Sequence, residues 1–309
     1  MSEGNRMRYG RVAGVEKDIS QIVMGTLFAK GVDQAGPVFD EFISQGGNCF
    51  DTARHYGDAE LVFGEWMQQR GNRDELVVIT KGAHTPNCNP EAVTSQLSES
   101  LERLQTDFID IYFLHRDNPE IPVGEFVDVL NEHRDAGRIG VFGGSNWSLE
   151  RTDEANEYAT RNGLAGFTVL SNHMSLARMV EAPWDGCLAA SDAESRAWLA
   201  ERQMPLFPWS AQARGFFVDG RAAVDKLDDP ELVRCWYSDD NFERLARVRQ
   251  IAERQGVDAV SVALAYLLHQ PTPVFSLMGP LNIEEARSSL AALDVQLSAQ
   301  DVKWLNLER

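Results

Sequence analysis

Four residues in the first 115 carry groups that could deliver a proton to a reacting oxygen: Asp51, Tyr56, Lys81 and His115. A phenol alone is too weak an acid and too poor a base near neutrality, with an unperturbed pKa of about 10. A buried ammonium beside it favours the phenolate and so lowers that value. A carboxylate beside the ammonium keeps the lysine charged and oriented. A histidine at the same point can hydrogen-bond the substrate oxygen and help to relay a proton. Reduction of a carbonyl asks for this set of parts, because a proton must arrive along with a hydride. Singly, each residue has an ordinary explanation: Asp51 as a turn or cap residue, Tyr56 as half-buried packing, Lys81 as a solvated strand end, His115 as a satisfied core histidine. Their joint placement argues against four separate accidents.

That placement is at the carboxyl ends of consecutive strand-like runs. NCFDTA (48–53) precedes the helix-sized AELVFGEWMQQ, ELVVITK (75–81) precedes PEAVTSQLSESLERL, and FIDIYFLH (108–115) precedes VGEFVDVLNEHRDAG. The alternation continues through RIGVFGGS (138–145), FTVLSN (167–172), MPLFPWS (204–210) and PVFSLMG (273–279), each followed by an amphipathic segment. With DISQIVMG (18–25) and a helix over 34–46 counted first, the chain has eight strand–helix units. Val93, Leu97, Leu101 and Leu104 mark one face of a helix over 90–104, with Pro90 and Glu91 in its first turn. Gly137 stops the helix over 122–136. Hairpin turns are missing except near the N-terminus, between Arg8 and Val15. Repeated β–α units imply parallel strands with right-handed crossovers. The expected fold is a (β/α)₈ TIM barrel, a single domain over 1–309, with an N-terminal β-hairpin and a long loop after the seventh strand. In such a barrel catalytic groups sit where strands end. A doubly wound sheet would want a GxGxxG turn opening a helix, and GVFGGS lacks that spacing.

Composition narrows the classes. The 309 residues are 43% hydrophobic, enough for a large core, and carry a formal net charge of −18. Such acidity repels phosphate backbones and anionic lipid, so neither nucleic acid nor membrane is an expected partner. The apolar runs are strand-sized, too short to span a bilayer, and the start MSEGNRMRYG has no apolar stretch of a secretory signal. Cys49, Cys88, Cys187 and Cys235 are far apart with no CxxC, which reads as reduced thiols in a cytoplasmic protein. No HxH or HExxH pattern occurs among the six histidines, so no metal is expected. The expected partner is a small carbonyl compound; nothing here sets the oligomeric state.

The stretches GGNCFDTARHYGDAELVFGEWM (46–67), LVVITK (76–81), DFIDIYFLH (107–115) and GGSNW (143–147) resemble the aldo-keto reductases, and the resemblance runs over nearly the whole chain. The family has an Asp and a Tyr at these places in its FDTAxxYG stretch, a Lys at the next strand end and a His at the one after. The resemblance implies reduction of an aldehyde or ketone by NADP(H) or NAD(H), with Tyr56 as general acid; His55 is not the family's catalytic histidine. By the same resemblance Ser145 and Asn146 hold the nicotinamide carboxamide, Gly25 and Thr26 lie near that ring, and Trp209 replaces a Tyr stacked on it. Ser210, Gln212, Arg214 and Gly215 line up with the loop over the pyrophosphate. Where the family often has a Gln after the sixth strand, this chain reads LSNHMSL, leaving Ser171 or Asn172 for that contact. The adenosine segment GPLNIEEARSSLAA (279–292) departs most. Gly279, Asn282 and Arg287 are its candidates, and Arg287 is off the family's usual Arg position. NADP(H) is expected on the family pattern, with NAD(H) open.

Arg54, His55, Arg116, Asp117, Asn118 and Trp147 follow the strand ends and are expected to line the substrate site. Their polarity suits a sugar or polyol carbonyl. The stretch Phe216–Asn241 exceeds a routine βα connection and reads either as a lid or as a surface excursion. Two other readings share the motifs: a sugar or polyol dehydrogenase working in the oxidising direction, and a nucleotide-binding regulatory subunit like the potassium-channel β subunits, which resemble this family.

Overall fold

The computed structural model describes residues 7–308. The expected hairpin is present as β1 (Tyr9–Gly10) antiparallel to β2 (Ile19–Ser20). Seven parallel strands follow: β3 (Ile22–Gly25), β4 (Cys49–Asp51), β5 (Val77–Gly82), β6 (Ile109–Leu114), β7 (Ile139–Ser145), β8 (Val169–Ser171) and β9 (Ser276–Met278). They pair in the order β8-β7-β6-β5-β4-β3-β9. Leu206 closes the seam, bridging Leu170 on one side and Val274 on the other. Phe207 N–H donates to Leu170 O at 2.8 Å, and Phe275 N–H to Leu206 O at 2.8 Å. Pro205 and Pro208 flank this contact and have no N–H for a ladder, but their carbonyls accept from Leu170 N–H at 3.0 Å and Leu277 N–H at 3.3 Å. The result is a closed eight-stranded barrel.

Helices cover the outside: α1 (Val32–Ser44), α2 (Ala59–Arg70), α3 (Pro90–Leu104), α4 (Val123–Asp135), α5 (Leu149–Asn162), α6 (Ala193–Arg202), α7 (Pro230–Trp236), α8 (Asp239–Gln255), α9 (Ala259–Leu268), α10 (Ile283–Leu290) and α11 (Ala299–Leu305). Helix α3 starts where its sequence signals put it, with the Asn89 side chain accepting from Ala92 N–H at the cap. Gly137 adopts φ +71° just beyond α4, a left-handed stop that costs a glycine little. Every residue of α9 (AVSVALAYLL) is buried, between α8, α10 and β9. Uniform apolarity erases the one-sided pattern by which a surface helix is recognised, so this helix is not legible from periodicity.

Strand side chains alternate between two cores. Val23, Cys49, Val77, Ile79, Ile111, Phe113, Val141, Val169 and Phe207 fill the barrel, with Val12 of the hairpin loop and Ile19 of β2 among them. Met24, Phe50, Val78, Tyr112, Phe142 and Leu170 face the helices. This alternation has a period of two and places the functional candidates.

The long segment after the seventh strand is partly ordered into α7, which two proximal ion pairs tie back: Arg214–Glu231, with atoms 2.5 Å apart, and Arg221–Asp229 at 3.2 Å. Phe216 and Tyr237, near its two ends, pack edge to face with centroids 6.0 Å apart.

Candidate active site

Carrying the inward parity one step past each strand's last barrel-filling residue, or two steps in β7 where Gly143 intervenes, reaches Gly25, Asp51, Lys81, His115, Ser145, Ser171, Trp209 and Gly279 in turn. Asp51 follows Cys49, Lys81 follows Ile79, and His115 follows Phe113. The pleat thus aims these three at one point on the barrel axis at the carboxyl ends of the strands. Tyr56 reaches the same point from the turn after β4. That turn is fixed by Tyr56 N–H donating to Ala53 O and by Arg54 N–H donating to Lys81 O, at 3.0 and 2.9 Å. Arg103 of α3 adds a bond to Gly57 O while its Nε donates to the buried carboxylate of Glu60.

Lys81 is 1% exposed. Its ammonium donates to both carboxylate oxygens of Asp51 at 2.6 Å and to Thr52 O at 2.9 Å. It lies 5.1 Å from the centroid of the Tyr56 ring. The His115 ring meets the Tyr56 ring edge to face, centroids 5.6 Å apart. Burial pushes the Asp51 carboxyl up and the Lys81 charge pulls it back. Burial opposes the Lys81 charge, but Asp51 and Tyr56 outweigh it and hold the ammonium above its ordinary pKa. Burial also pushes the Tyr56 phenol above its usual value, with Lys81 opposing. The lysine alone would lower it; desolvation is the larger effect here, against expectation. Burial and the nearby Lys81, His84 and Arg116 charges hold His115 well below the imidazole range, so its ring is neutral. Its Nδ1 is enclosed with no partner.

Sequence reasoning passed over His84. It stacks face to face on His55 with centroids 3.9 Å apart, and its ring meets His115 edge-on at 4.7 Å. The inward parity of β5 ends before it, because Ala83 takes a left-handed φ of +55° and redirects the chain. The loop after β8 was also passed over as a plain connection. It brings Trp184 against Trp209, at 6.1 Å, and Cys187 against Arg116.

Several expected positions fall elsewhere. Trp147 was expected to line the substrate site, but it is fully buried in the helix layer against Phe126 and Phe167. Asn146 has φ +59°, which breaks the strand alternation and turns Trp147 outward over Gly144, where any Cβ would lie 2.4 Å from its ring. The Asn172 amide binds Trp147, accepting from its N–H and donating to its O, at 3.2 and 2.7 Å. Ser171 donates to Phe207 O at 2.8 Å. What remains for a carboxamide is one amide N–H and a lone pair on Asn172 and the acceptor side of the Ser171 hydroxyl. Arg54 turns away to Glu99 of α3, and Asp117 is held by Arg151 through two bonds of 2.9 and 3.0 Å. Asn118 donates to Cys88 O at 3.2 Å. Asn282 caps α10, and Arg287 forms a two-bond pair with Glu41 of α1 at 2.9 and 3.0 Å.

The remaining cofactor candidates do form one surface. The Thr26 hydroxyl and the Trp209 indole N–H are enclosed without partners. A Cβ on Gly25 would press on Met278 O at 3.0 Å, so this backbone approaches its neighbour as only glycine allows. Ser145 donates to Ser171 O at 2.9 Å, and Asn146 Nδ2 donates to Ser145 Oγ at 3.2 Å. Ser210, Ala213, Arg214 and Gly215 all have positive φ, giving a tight loop beside Trp209. Gln212 Nε2 donates to Ser289 Oγ of α10 at 3.1 Å, and the Arg214 guanidinium lies 5.2 Å from the Trp184 ring. The unpartnered donors fit the nicotinamide end of a dinucleotide, while at the pyrophosphate end Arg214 is already paired with Glu231. Gly279 is exposed just past β9. Among the described residues no cluster of His, Cys, Asp or Glu is arranged to hold a metal ion, and no helix is long and apolar enough to cross a membrane.

The chain is similar over most of its length to several known proteins. The norsolorinic acid reductase of Aspergillus flavus is 29% identical over 325 residues, covering 95% of this chain and 78% of the relative. Norsolorinic acid reductase B of Dothistroma septosporum is 29% identical over 289 residues, covering 88% and 71%. An NADP(+) aryl-alcohol dehydrogenase of Phanerodontia chrysosporium is 26% identical over 295 residues, covering 87% and 74%. The model of the aldo/keto reductase family matches residues 21–306, and with strand-end residues and a barrel of the expected kind, the chain belongs to that family.

Proposed function

We propose that this chain, as a single barrel domain, reduces an aryl aldehyde or ketone with NADP(H), using Tyr56 as the general acid. The observation that carries this reading is the enclosed Lys81–Asp51 pair directly beneath the Tyr56 ring. Trp209 and Thr26 would hold a nicotinamide, which when bound would supply the hydride. Tyr56 then gives its phenolic proton to the carbonyl oxygen, which becomes the alcohol O–H. Lys81 stabilises the phenolate left behind, and Asp51 keeps Lys81 protonated and fixed. Neutral His115 donates a hydrogen bond to the same oxygen, orienting the carbonyl as negative charge grows on it.

The phenol serves both directions, as acid in reduction and as phenolate base in oxidation, so the ratio of reduced to oxidised cofactor sets which one runs. The stacked His55–His84 pair and Trp184 give the site aromatic walls, which suit a flat aryl carbonyl better than a sugar or polyol. The relatives' names point the same way. The cofactor choice rests on the NADP(+)-linked relative. All four cysteines are free thiols, which suits a cytoplasmic setting. The test is turnover of substituted benzaldehydes and of aldoses with NADPH and with NADH. Aryl aldehydes with NADPH should give the highest kcat/KM. Tight nucleotide binding without turnover of either class would favour the regulatory-subunit reading.

A further inference from the structure

Among the described residues three lysine or arginine side chains are buried: Lys81 is matched by Asp51, whereas Arg116 and Arg244 form no ion pair with a carboxylate. Arg244 lies on α8, bonded to Asn241. Arg116 lies beside the proposed chemistry. It directly follows His115, and its charge acts on Tyr56, His84 and His115.

Arg116 is 7% exposed. Its Nη1 donates to His115 O at 2.9 Å, its Nη2 reaches only the Cys187 sulfur at 3.5 Å, and its Nε is enclosed with no partner. The adjacent carboxylate, Asp117, is taken by Arg151. Lys81 and Asp51 cancel each other, so the site keeps one uncompensated positive charge in a chain whose net charge is −18. Removing a guanidinium from water without an anion is unfavourable, and its planar fork matches a carboxylate through two parallel bonds. The covering loop leaves a side chain out at this point: a Cβ on Gly186 would lie 3.6 Å from Arg116 Cδ and 3.7 Å from Nε. A single guanidinium suits one carboxylate rather than a doubly charged phosphate.

We propose that the carbonyl substrate carries a carboxylate, and that Arg116 is the group that binds it. The substrate class is then an aromatic oxo-acid, its ring against His55 and His84 and its carbonyl at Tyr56. This inference rests on the carbonyl-reductase reading above.

The test compares 3- and 4-carboxybenzaldehyde with their methyl esters, which keep the ring and the electron withdrawal but lose the charge. The native protein should prefer at least one acid over its ester by about 10- to 100-fold in kcat/KM, mostly through KM, as expected for a charge-assisted bond. In Arg116→Gln that ratio should fall to near one, and Arg116→Lys should keep part of it. A structural role for Arg116 would lower acid and ester alike and leave the ratio intact, which would overturn the proposal. If Arg116→Gln does not fold, the native ratio decides by itself: equal use of acid and ester overturns the proposal. Turnover of neutral aldehydes alone would sink this inference but keep the carbonyl-reductase reading. No turnover of any aldehyde would sink that reading and this inference with it.

Discussion

Replacing Lys81 by Met removes the cation from one of the most enclosed pairs in the molecule. Three short hydrogen bonds disappear, two of them to a carboxylate 2% exposed. Asp51 is left buried and uncompensated, a situation that costs about 3–5 kcal/mol when one partner of a buried pair is deleted. At roughly 2 °C per kcal/mol for a chain of this size, Tm at pH 7 should fall by about 6–10 °C. The double variant Lys81→Met with Asp51→Asn removes the stranded charge and should recover at least half of that loss. The penalty should also depend on pH. Burial already pushes Asp51 up, and without Lys81 nothing pulls it back. Its native pKa then lies above the unfolded value of about 3.9, so between the two the native state binds more protons and stability falls as pH rises. The Lys81→Met deficit should therefore be small near pH 4 and grow towards pH 7. Thermal unfolding of the native protein, both single variants and the double variant, at pH 4, 5.5 and 7, provides the assay. A Lys81→Met loss under about 1 kcal/mol, or a double variant no more stable than the single, would refute the reasoning.

Two further outcomes follow from the same site. Single-turnover reduction should be level from about pH 5.5 to 8.5, because His115 is held neutral and the Tyr56 proton is held tightly; a limb near pH 6.5 would show that His115 titrates where the structure says it does not. Glu41→Gln should free Arg287 for a 2′-phosphate and raise the preference for NADPH over NADH in fluorescence titration by about threefold, the scale of an exposed ion pair; an unchanged ratio would place that guanidinium away from the phosphate.

The barrel was legible because its signals are local. A strand-sized run, a polar end and an amphipathic segment repeat along the chain, and the residues at 51, 81 and 115 lie on the side of each strand that the pleat turns inward. What the sequence hid depends on long-range contact or on single backbone angles. The turn of Trp147 into the helix layer hangs on one left-handed residue, Asn146. The Arg287–Glu41 pair joins residues 246 apart in sequence, so a cation expected to meet a phosphate is already matched by an acid. His84 carries no signal of its own; only the positive φ of Ala83 brings it to the His55 ring. The loop after β8 was opaque because its Trp184 and Cys187 matter through what they cover, not through any pattern. Arg116 was legible as a candidate by its place after His115, but its lack of an acidic partner is visible only once Asp117 is seen committed to Arg151.

The central claim is that the Tyr56 phenol delivers the proton. The direct measurement is the kcat of Tyr56→Phe for its best aldehyde with NADPH, alongside the Kd for NADPH from fluorescence titration. Loss of general acid catalysis should lower kcat by about 10²–10⁴-fold, with Kd held within about threefold, since the phenol touches the carbonyl rather than the nucleotide. A Phe variant that keeps more than about a tenth of the native kcat would show that the proton comes from another group.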